Sequence, residues 1–430
     1  MNKELRTGRA QPIARRDFLK LAVGVAGTSA IAASGPTPSK APPTATPART
    51  PAIVKWWHYP DFTQQPYAEE LVKRFNESHK TIRVEPQVVG WNDYYPTLIN
   101  ALGAGNPPDV SRFKDYWMAE FVKAGALERL DSYVTAWKNN DVIANLWDLQ
   151  RVKASDPLYM LPWQMFYTYL YYRVDWFKEA GLTPPQTIDD FLNAARKLNK
   201  PPERYGFGLR GARGGHEVWP MLTWPLGMRF VDKDGKVILD NEDGVKSNQW
   251  FLDLYMKEKV APPSAPADGY LQIYEGFKGG KTAMVLHHLG TSKPLAEALG
   301  DKVSAVPTPS GPKGRWCNSI VDYNVMFKAC KNKEAAFTFM AWITEKEQND
   351  YWAGGTGVMP VLNSLNKKYA AINRFYKAQS ESVPFAGVYP LLPTVGRWSE
   401  VTWPAVMQQA LNGQIDGKTC MKQLADGMRG

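Results

Sequence analysis

The sequence is poor in the residues that most often bind metals or form disulfides. It contains 3 cysteines, Cys317, Cys330 and Cys420, and 5 histidines among 430 residues. An odd count excludes a disulfide framework that uses every cysteine, and no CxxC, Cys/His or HExxH spacing predicts a metal site. We therefore predict no metal and no cofactor. A single bridge between Cys317 and Cys330 and three buried free thiols are both open interpretations.

Motifs typical of nucleotide-binding or nucleophilic enzymes are incomplete or missing. Gly280-Lys281-Thr282 looks like the end of a P-loop, but the spacing requires glycine where Glu275 stands. No GxSxG elbow occurs. His287 and His288 are adjacent on a predicted strand, so their side chains should point to opposite faces. A glycoside hydrolase needs two carboxylates at a set separation, and no pattern singles out such a pair. We predict that the protein is not an enzyme.

The positive net charge is concentrated at the N-terminus. The chain carries a formal charge of +10, but residues 1–50 hold eight basic and two acidic residues. The remainder has 44 basic and 40 acidic residues, a balance of only +4. Such a body lacks the electrostatic footprint of a DNA- or RNA-binding protein. We expect no nucleic-acid partner.

The N-terminus has the features of an export signal. Arg15-Arg16 precedes an apolar stretch at 21–33, which is too short for a mature membrane-spanning helix. A basic region, a short apolar core and the A-x-A site at 30–32 predict a secretory signal. The arginine pair resembles a twin-arginine signal, so residues 1–34 are predicted to direct the chain to the periplasm. No cysteine follows the apolar core, which disfavours a lipid anchor.

A linker and a folded body follow this signal. Residues 35–51 are rich in proline, threonine and alanine, which predicts an extended spacer. From residue 52 onward strand-like and helix-like stretches alternate without an internal repeat, which favours an α/β architecture with mostly parallel sheets. The clearest predicted elements are a strand at 53–57, a helix that begins near Thr63, an edge strand at 82–88, helices at 188–198 and 244–257, and a strand at 282–287.

Several ordered segments resemble one known family. The segments are Phe-Asn-Glu at 75–77, Ala-Gly-Asn-Pro-Pro-Asp-Val at 104–110, the run 161–182, the run 184–198, 277–284, Pro-Thr-Pro at 307–309 and Lys-Glu-Ala-Ala-Phe at 333–337. In this order they resemble the extracellular solute-binding proteins of ATP-driven sugar importers, the maltose-binding-like family. The resemblance covers nearly the whole mature chain. The turn at 155–157 departs from the family, which usually has glycine there.

The resemblance implies a two-lobed periplasmic-binding-protein fold. In this α/β fold two Rossmann-like sheets are joined by a hinge, and the ligand cleft lies between the lobes. The expected division is residues 52–164 plus 273–310 for the N-terminal lobe and 165–272 plus 311–430 for the C-terminal lobe. Crossings between lobes are expected near 163–167, near Tyr270 and near 311–316.

The same resemblance implies a binding function without chemistry. We expect a monomer that captures a mono- or oligosaccharide by lobe closure and delivers it to the ABC permease of the inner membrane. A polyol or a glycerol-phosphate-type anion is an alternative ligand, for which Arg173, Arg210, Arg213 and Arg397 are available. An exported carbohydrate-active enzyme with an aromatic-lined cleft is a further alternative.

Aromatic and acidic residues supply the candidate site. Sugars present apolar C–H faces and hydroxyls, which suit aromatic rings and carboxylates. The resemblance places Asp61 and the pair Asp115-Tyr116 in loops of one lobe and Trp219 in the other. Any single tryptophan has about an even chance of lying in a core instead. The candidate ligand-binding residues are Trp57, His58, Asp61, Asp115, Tyr116, Trp163, His216, Trp219, Gly355 and Trp398.

Overall fold

The computed structural model describes residues 50–430 apart from positions 62, 152 and 371. The predicted signal at 1–34 and most of the predicted linker, 35–49, lie outside the described residues.

Within the described residues, ten strands form two groups that share one long strand. The strands are β1 (Ala52–His58), β2 (Ile82–Val88), β3 (Val110–Lys114), β4 (Met160–Arg173), β5 (Tyr205–Gly208), β6 (Thr282–His288), β7 (Val303–Val306), β8 (Cys317–Met326), β9 (Met359–Pro360) and β10 (Ala386–Gly387). Their main order is β2-β1-β3-β8-β4-β6-β5, with β7 and β9 on β4 and β10 on β8.

Helices cover both strand groups. They are α1 (Gln64–Ser78), α2 (Trp91–Gly103), α3 (Met118–Lys123), α4 (Asp131–Trp137), α5 (Asn145–Asp148), α6 (Val174–Glu179), α7 (Ile188–Leu198), α8 (Pro220–Thr223), α9 (Glu242–Met256), α10 (Tyr270–Lys278), α11 (Ser292–Leu299), α12 (Lys333–Thr344), α13 (Lys346–Thr356), α14 (Asn363–Tyr369), α15 (Arg374–Ser382), α16 (Val395–Arg397), α17 (Trp403–Leu411) and α18 (Gly417–Arg429). None of those described between residues 50 and 430 combines the length and apolar character needed to cross a bilayer.

Strand β4 joins the two halves of the fold. Its first half, Met160 to Tyr167, pairs with β8, and its second half, Thr168 to Arg173, pairs with β6 and β7. We call the sheet of β2, β1, β3, β8 and the first half of β4, with the helices on it, the first lobe. The second lobe contains the second half of β4 with β5, β6 and β7, together with the helices packed there. The expected two-lobed α/β fold is confirmed.

The sheets are mixed rather than mostly parallel, and the hinge explains why. Strands β1, β2 and β3 are parallel, as are β5 and β6, but β4 and β8 pair antiparallel with each other. Strand β4 carries the chain from the first lobe to the second, and β8 carries it back, so the two run in opposite directions. The prediction of mostly parallel sheets holds only away from these crossing strands.

The predicted division of the chain between lobes is wrong for two segments. Residues 273–310 contain β6 and β7, which pair with the second half of β4, so they belong to the second lobe. Strand β8 pairs with β3, and α12 packs on β1, so this part of 311–430 lies in the first lobe. The crossing predicted near Tyr270 is also wrong, because Tyr270 begins α10 between two strands, β5 and β6, that pair with each other.

Local sequence explains the best-defined helices. Thr63 precedes α1, where the helix was predicted to begin. Helix α7 begins with a capping box in which the Thr187 side chain accepts from the Asp190 N–H and the Asp190 carboxylate accepts from the Thr187 N–H. Its apolar residues recur on one face and pack on β5. All three cysteines are free, buried thiols, so no bridge joins Cys317 to Cys330.

The close packing of α7 on β5 gives a test of the fold. A Cβ at Gly206 would lie 2.0 Å from the Ala195 carbonyl oxygen of α7, whereas a Cβ at Gly276 in α10 would meet no atom within 4 Å. We expect Gly206→Ala to lower the free energy of unfolding by about 1–3 kcal/mol, because backbone must move. The matched control Gly276→Ala should be neutral or stabilising by up to about 1 kcal/mol. Urea denaturation measures both, and equal stability of the two variants would contradict this packing.

Candidate functional site

A small cavity of about 20 Å³ lies where the two lobes meet. Its walls come from both lobes and from the two strands that cross between them. The lining residues are Tyr59, Asp61, Trp91 and Lys114 of the first lobe, Phe166 of β4, Ile320 of β8, and Glu217, Tyr270 and His288 of the second lobe.

The topology explains why these side chains converge. Parallel strands β1 and β3 end at His58 and Lys114, and parallel strands β5 and β6 end at Gly208 and His288. Ligands of α/β proteins bind beyond the carboxyl ends of parallel strands. The cavity therefore lies beyond these ends in both lobes at once.

A cluster of buried charged residues lies beneath the first-lobe side of the cavity. The Nε of Arg112 donates to Asp322 Oδ2 at 2.8 Å, and the Nζ of Lys114 lies 2.7 Å from Asp322 Oδ1. Gln164 donates to the same carboxylate at 2.6 Å, and the Tyr59 hydroxyl donates at 3.2 Å. Burial would raise the pKa of Asp322, but the charges of Arg112 and Lys114 outweigh it and hold the pKa below its usual value. The carboxylate is therefore ionised.

Asp61 lies at the edge of this cluster and faces the cavity. Its carboxylate accepts from Arg112 at 3.3 Å, and its backbone N–H donates to Gln64 at 3.0 Å. Burial raises the pKa of Asp61, and the attraction of Arg112 and Lys114 only partly offsets that effect. The cluster thus presents one partly exposed acceptor, Asp61, and one ammonium group, Lys114, to a ligand.

A stacked tyrosine and histidine form part of the second-lobe wall. The rings of Tyr270 and His288 are 5.4 Å apart, and the Tyr270 hydroxyl is 2.8 Å from His288 Nε2. The Gly290 N–H donates to Nδ1 of His288 at 3.1 Å, so the ring proton of the neutral imidazole is assigned to Nε2. Burial, followed by nearby positive charges, lowers the pKa of His288 well below its usual value. This stacked pair of rings is therefore uncharged at neutral pH.

Glu217 connects the second lobe to the first. It accepts from Arg210 of its own lobe at 3.2 Å and from the Tyr116 hydroxyl of the first lobe at 3.2 Å. The ion pair is buried, with side-chain exposures of 3% for Arg210 and 7% for Glu217. A buried pair of this kind costs desolvation, so its geometry must be held by further hydrogen bonds such as that of Tyr116.

The charges around the cavity balance. The acids Asp61, Glu217 and Asp322 each lie within 3.3 Å of a base. Those bases are Arg112, Lys114 and Arg210. Within the described part of the chain no group of histidine, cysteine and acidic residues is arranged to hold a metal ion. The site is thus suited to polar, uncharged ligands.

Of the predicted site residues, Asp61 lines the cavity and three others adjoin it. Tyr116 reaches the lining residue Glu217 through its hydroxyl, and His216 is the residue next to Glu217 in the chain. The rings of Tyr116 and His216 are 5.2 Å apart. Asp115 is buried, and its carboxylate accepts from the Tyr116 N–H at 2.9 Å.

Three predicted residues in the first lobe lie away from the cavity lining. The ring of His58 stacks on that of Trp56, with 4.3 Å between ring centroids. Burial and the charge of Arg112 lower the pKa of His58 to about 3. Trp163 is fully buried and stacks on Trp352 at 4.4 Å. Trp57 is half-buried. Side chains alternate along a strand, so Trp56 and His58 lie on one face of β1 and Trp57 on the other. The sequence alone could not show which of these faces lines the core and which the cleft.

The other three predicted residues also serve packing. Trp219 and Trp398 are fully buried in the second lobe, and their indole N–H groups donate to Asn248 and to the Leu424 carbonyl. Gly355 lies in α13, where a Cβ would come within 2.0 Å of the Tyr67 ring. Glycine is needed there for packing on α1.

Sequence reasoning missed most of the lining, although one signal was available. Lys114 ends β3 and Tyr59 directly follows β1, so both stand at carboxyl ends of predicted strands. Glu217 is adjacent to the predicted His216. His288 ends β6 and offered the same signal, whereas Trp91 and Tyr270 begin helices and offered none.

Comparison with known proteins agrees with this geometry. The profile of the family described as bacterial extracellular solute-binding protein matches residues 59–350. A binding protein of Brucella abortus (strain 2308) is 26% identical over 344 residues, which cover 78% of this chain and 82% of the relative. The arabinooligosaccharide-binding protein of Bacillus subtilis (strain 168) is 25% identical over 363 residues, covering 75% and 82% of the two chains.

A solved structure shows the same fold. An ABC transporter solute-binding protein from Thermotoga lettingae, bound with α-D-tagatose, superposes with a TM-score of 0.80 at 23% identity. The match covers 88% of this chain and 98% of that one. This level of likeness establishes the two-lobed fold.

The buried carboxyl group of Asp115 predicts a pH dependence of stability. Burial raises its pKa from 3.8 to about 7, against the opposing effects of Lys114 and the Tyr116 N–H. Between about pH 4 and pH 7 the folded chain therefore holds a proton that the unfolded chain has released, so stability falls as pH rises. We expect the stability of the wild type relative to Asp115→Asn to fall by on the order of 2–4 kcal/mol across this window.

The comparison with the variant isolates this group from the buried histidines. His58 and His287 have pKa values lowered to about 3, mainly by burial, and they affect both proteins equally. Asparagine keeps an oxygen that can accept from the Tyr116 N–H. Urea unfolding at a series of pH values measures the difference, and a constant difference would show that Asp115 ionises normally.

Proposed function

The chain belongs to the bacterial extracellular solute-binding protein family, and we propose that it binds a neutral carbohydrate or polyol between its lobes for uptake by an ABC importer. Carbohydrate-binding relatives, such as the arabinooligosaccharide-binding protein, support this class of ligand. The relatives from Brucella abortus and Bacillus subtilis are binding proteins, and we propose that this chain likewise performs no chemistry on its ligand.

The observation that carries the proposal is the cavity with walls from both lobes. A ligand in contact with Asp61 and Lys114 on one side and with Glu217 and Tyr270 on the other would favour the closed arrangement. A ligand can shift such an equilibrium only through contacts that it makes better in one state than in the other. A ligand in this cavity touches both lobes only when they are closed, so it binds the closed state more tightly than the open one.

The chemistry of the lining favours hydroxyl groups over a net charge. The rings of Trp91 and Tyr270 give the lining an aromatic edge, and the carboxyl groups of Asp61 and Glu217 offer acceptors for hydroxyl donors. The charges around the cavity already balance within the protein. An uncharged polyhydroxyl ligand leaves this balance intact.

Three of the four arginines suggested for an anionic ligand are paired with acidic residues, and the fourth is exposed. Arg173 forms hydrogen bonds of 2.6 and 2.9 Å with Asp175. Arg210 pairs with Glu217, and Arg213 lies 2.6 Å from Glu400. Arg397 is exposed on α16. We therefore propose a neutral ligand and not a glycerol-phosphate-type anion.

Localisation and delivery are part of the same proposal. The family is extracellular, and the arginine pair at 15–16 would export the folded chain by the twin-arginine route to the periplasm. The absence of cysteine after the apolar stretch favours a chain without a lipid anchor. We propose that it acts as a monomer and delivers its ligand to an inner-membrane permease.

A thermal-shift screen tests the ligand class. The purified chain is heated with hexoses, hexitols, pentitols, maltooligosaccharides and glycerol phosphate. A ligand at 100 times its Kd adds about 2.7 kcal/mol, which raises the Tm by a few degrees. We expect a shift with neutral compounds of one class, and the affinity should change little with ionic strength. A shift with glycerol phosphate alone, or release of sugar from glycosides, would overturn the proposal.

A pair of tryptophan variants then tests the location of the site. Trp91 lines the cavity, whereas Trp57 is half-buried outside its lining. We expect Trp91→Ala to weaken binding of the active compound by roughly 10- to 100-fold, or about 1.4–2.8 kcal/mol. Trp57→Ala is the matched control and should leave the Kd unchanged. Equal losses in both variants, measured by calorimetry, would place the ligand elsewhere.

A further inference from the structure

One arginine of the second lobe holds an aromatic wall of the first lobe. Arg213 follows β5, and its guanidinium carbon lies 4.6 Å from the centroid of the Trp91 ring. Its Nη1 donates to the backbone oxygen of Trp91, and its Nη2 lies 2.6 Å from Glu400 Oε2. A single side chain thus contacts both the face and the backbone of a cavity-lining residue across the lobe interface.

The partner of this arginine holds a second ring. Glu400 accepts from the indole N–H of Trp117 at 2.9 Å, and Trp117 stacks on Trp91 with 5.9 Å between centroids and 17° between planes. The ion pair of Arg213 and Glu400 in the second lobe therefore contacts two stacked tryptophans of the first lobe, Trp91 and Trp117. This ion pair is largely shielded from water, since the side chain of Arg213 is 17% exposed and that of Glu400 is 1% exposed.

Among the described residues, Arg213 is the second-lobe residue whose ring or cation contact reaches the Trp91 ring. The other neighbours of the Trp91 ring belong to the first lobe: Tyr59 at 5.0 Å, Trp117, and the Lys114 ammonium at 5.2 Å. Trp91 is the first residue of α2, where helical hydrogen bonds constrain it less than in a helix interior.

We propose that Arg213 is a positioning residue that fixes the Trp91 ring in the cavity wall when the lobes close. This inference rests on the proposed function, because the position of the Trp91 ring matters for binding only if the cavity holds a ligand. On opening, the contacts of Arg213 with Trp91 and of Glu400 with Trp117 must break together, because each joins one lobe to the other. Closure and the shape of the binding wall are thereby coupled.

The chemistry of arginine suits this role and lysine does not. A planar guanidinium can stack on an indole while donating in its plane to two acceptors. Lysine keeps the charge that pairs with Glu400 but lacks the guanidinium group that lies over the Trp91 ring. Removing the charge alone would leave Glu400 buried and unpaired, which is strongly destabilising. The neutral test variant therefore combines Arg213→Gln with Glu400→Gln.

Fluorine NMR of the full chain labelled with 5-fluorotryptophan tests the proposal without a ligand. Trp91→Phe and Trp117→Phe assign the two resonances by their loss. We expect Arg213→Lys to shift the Trp91 resonance and to leave that of Trp117 nearly in place, because the pair with Glu400 remains. The double glutamine variant should shift both resonances and leave the other tryptophans unchanged.

A matched control lies within the second lobe. The guanidinium of Arg229 lies 4.0 Å over the ring of Trp224. Arg229→Gln should shift the Trp224 resonance and leave Trp91 unmoved. A Trp91 resonance unchanged in both Arg213 variants would overturn the proposal, as would equal shifts of all tryptophans. Because no ligand is added, these outcomes are independent of failure in the ligand screen.

Discussion

The carboxylate of Asp322 is the centre on which the site depends. It is fully buried on β8 and contacts Arg112, Lys114, Gln164 and Tyr59. Unpaired charges are too costly to bury, so each of these partners is required for the others to remain inside the protein. The cluster fixes the ends of β3 and β4 relative to β8. It also orients the two residues, Asp61 and Lys114, that face the cavity.

The interface between the lobes is made differently from their cores. Each core is dominated by aromatic and aliphatic side chains, including Trp163 with Trp352 in the first lobe and Trp219 with Trp403 in the second. Across the interface polar contacts, such as the hydrogen bond from Tyr116 to Glu217, lie beside ring contacts, such as that of Tyr116 with His216. Net contributions from polar contacts are small because water replaces them on opening. Such an interface can therefore open and close while both lobes remain folded.

Local structure was largely predictable from sequence, but the site was not. The helix at 188–198 and the edge strand at 82–88, which contains Pro86, follow from periodicity and end signals, and the ordered motifs predicted the two-lobed fold. Arg112 and Asp322 are 210 residues apart and meet only because β3 and β8 pair in one register. Periodicity cannot supply that register.

The errors have the same physical origin. Residues 273–310 were assigned to the wrong lobe because the partner of β6 is the second half of β4, over 100 residues away. Trp219 and Trp398 were predicted in the cleft because a tryptophan suits a core and a sugar site equally well, and only the tertiary fold decides which.

Hydrogen–deuterium exchange with and without the compound that raises the Tm shows directly whether a ligand binds between the two lobes. We expect simultaneous protection of the segments that carry Tyr59 and Lys114 in the first lobe and Glu217 and His288 in the second. The reason is that a ligand between the lobes stabilises the closed state as a whole. Protection confined to one lobe, or to a surface away from these segments, would contradict it.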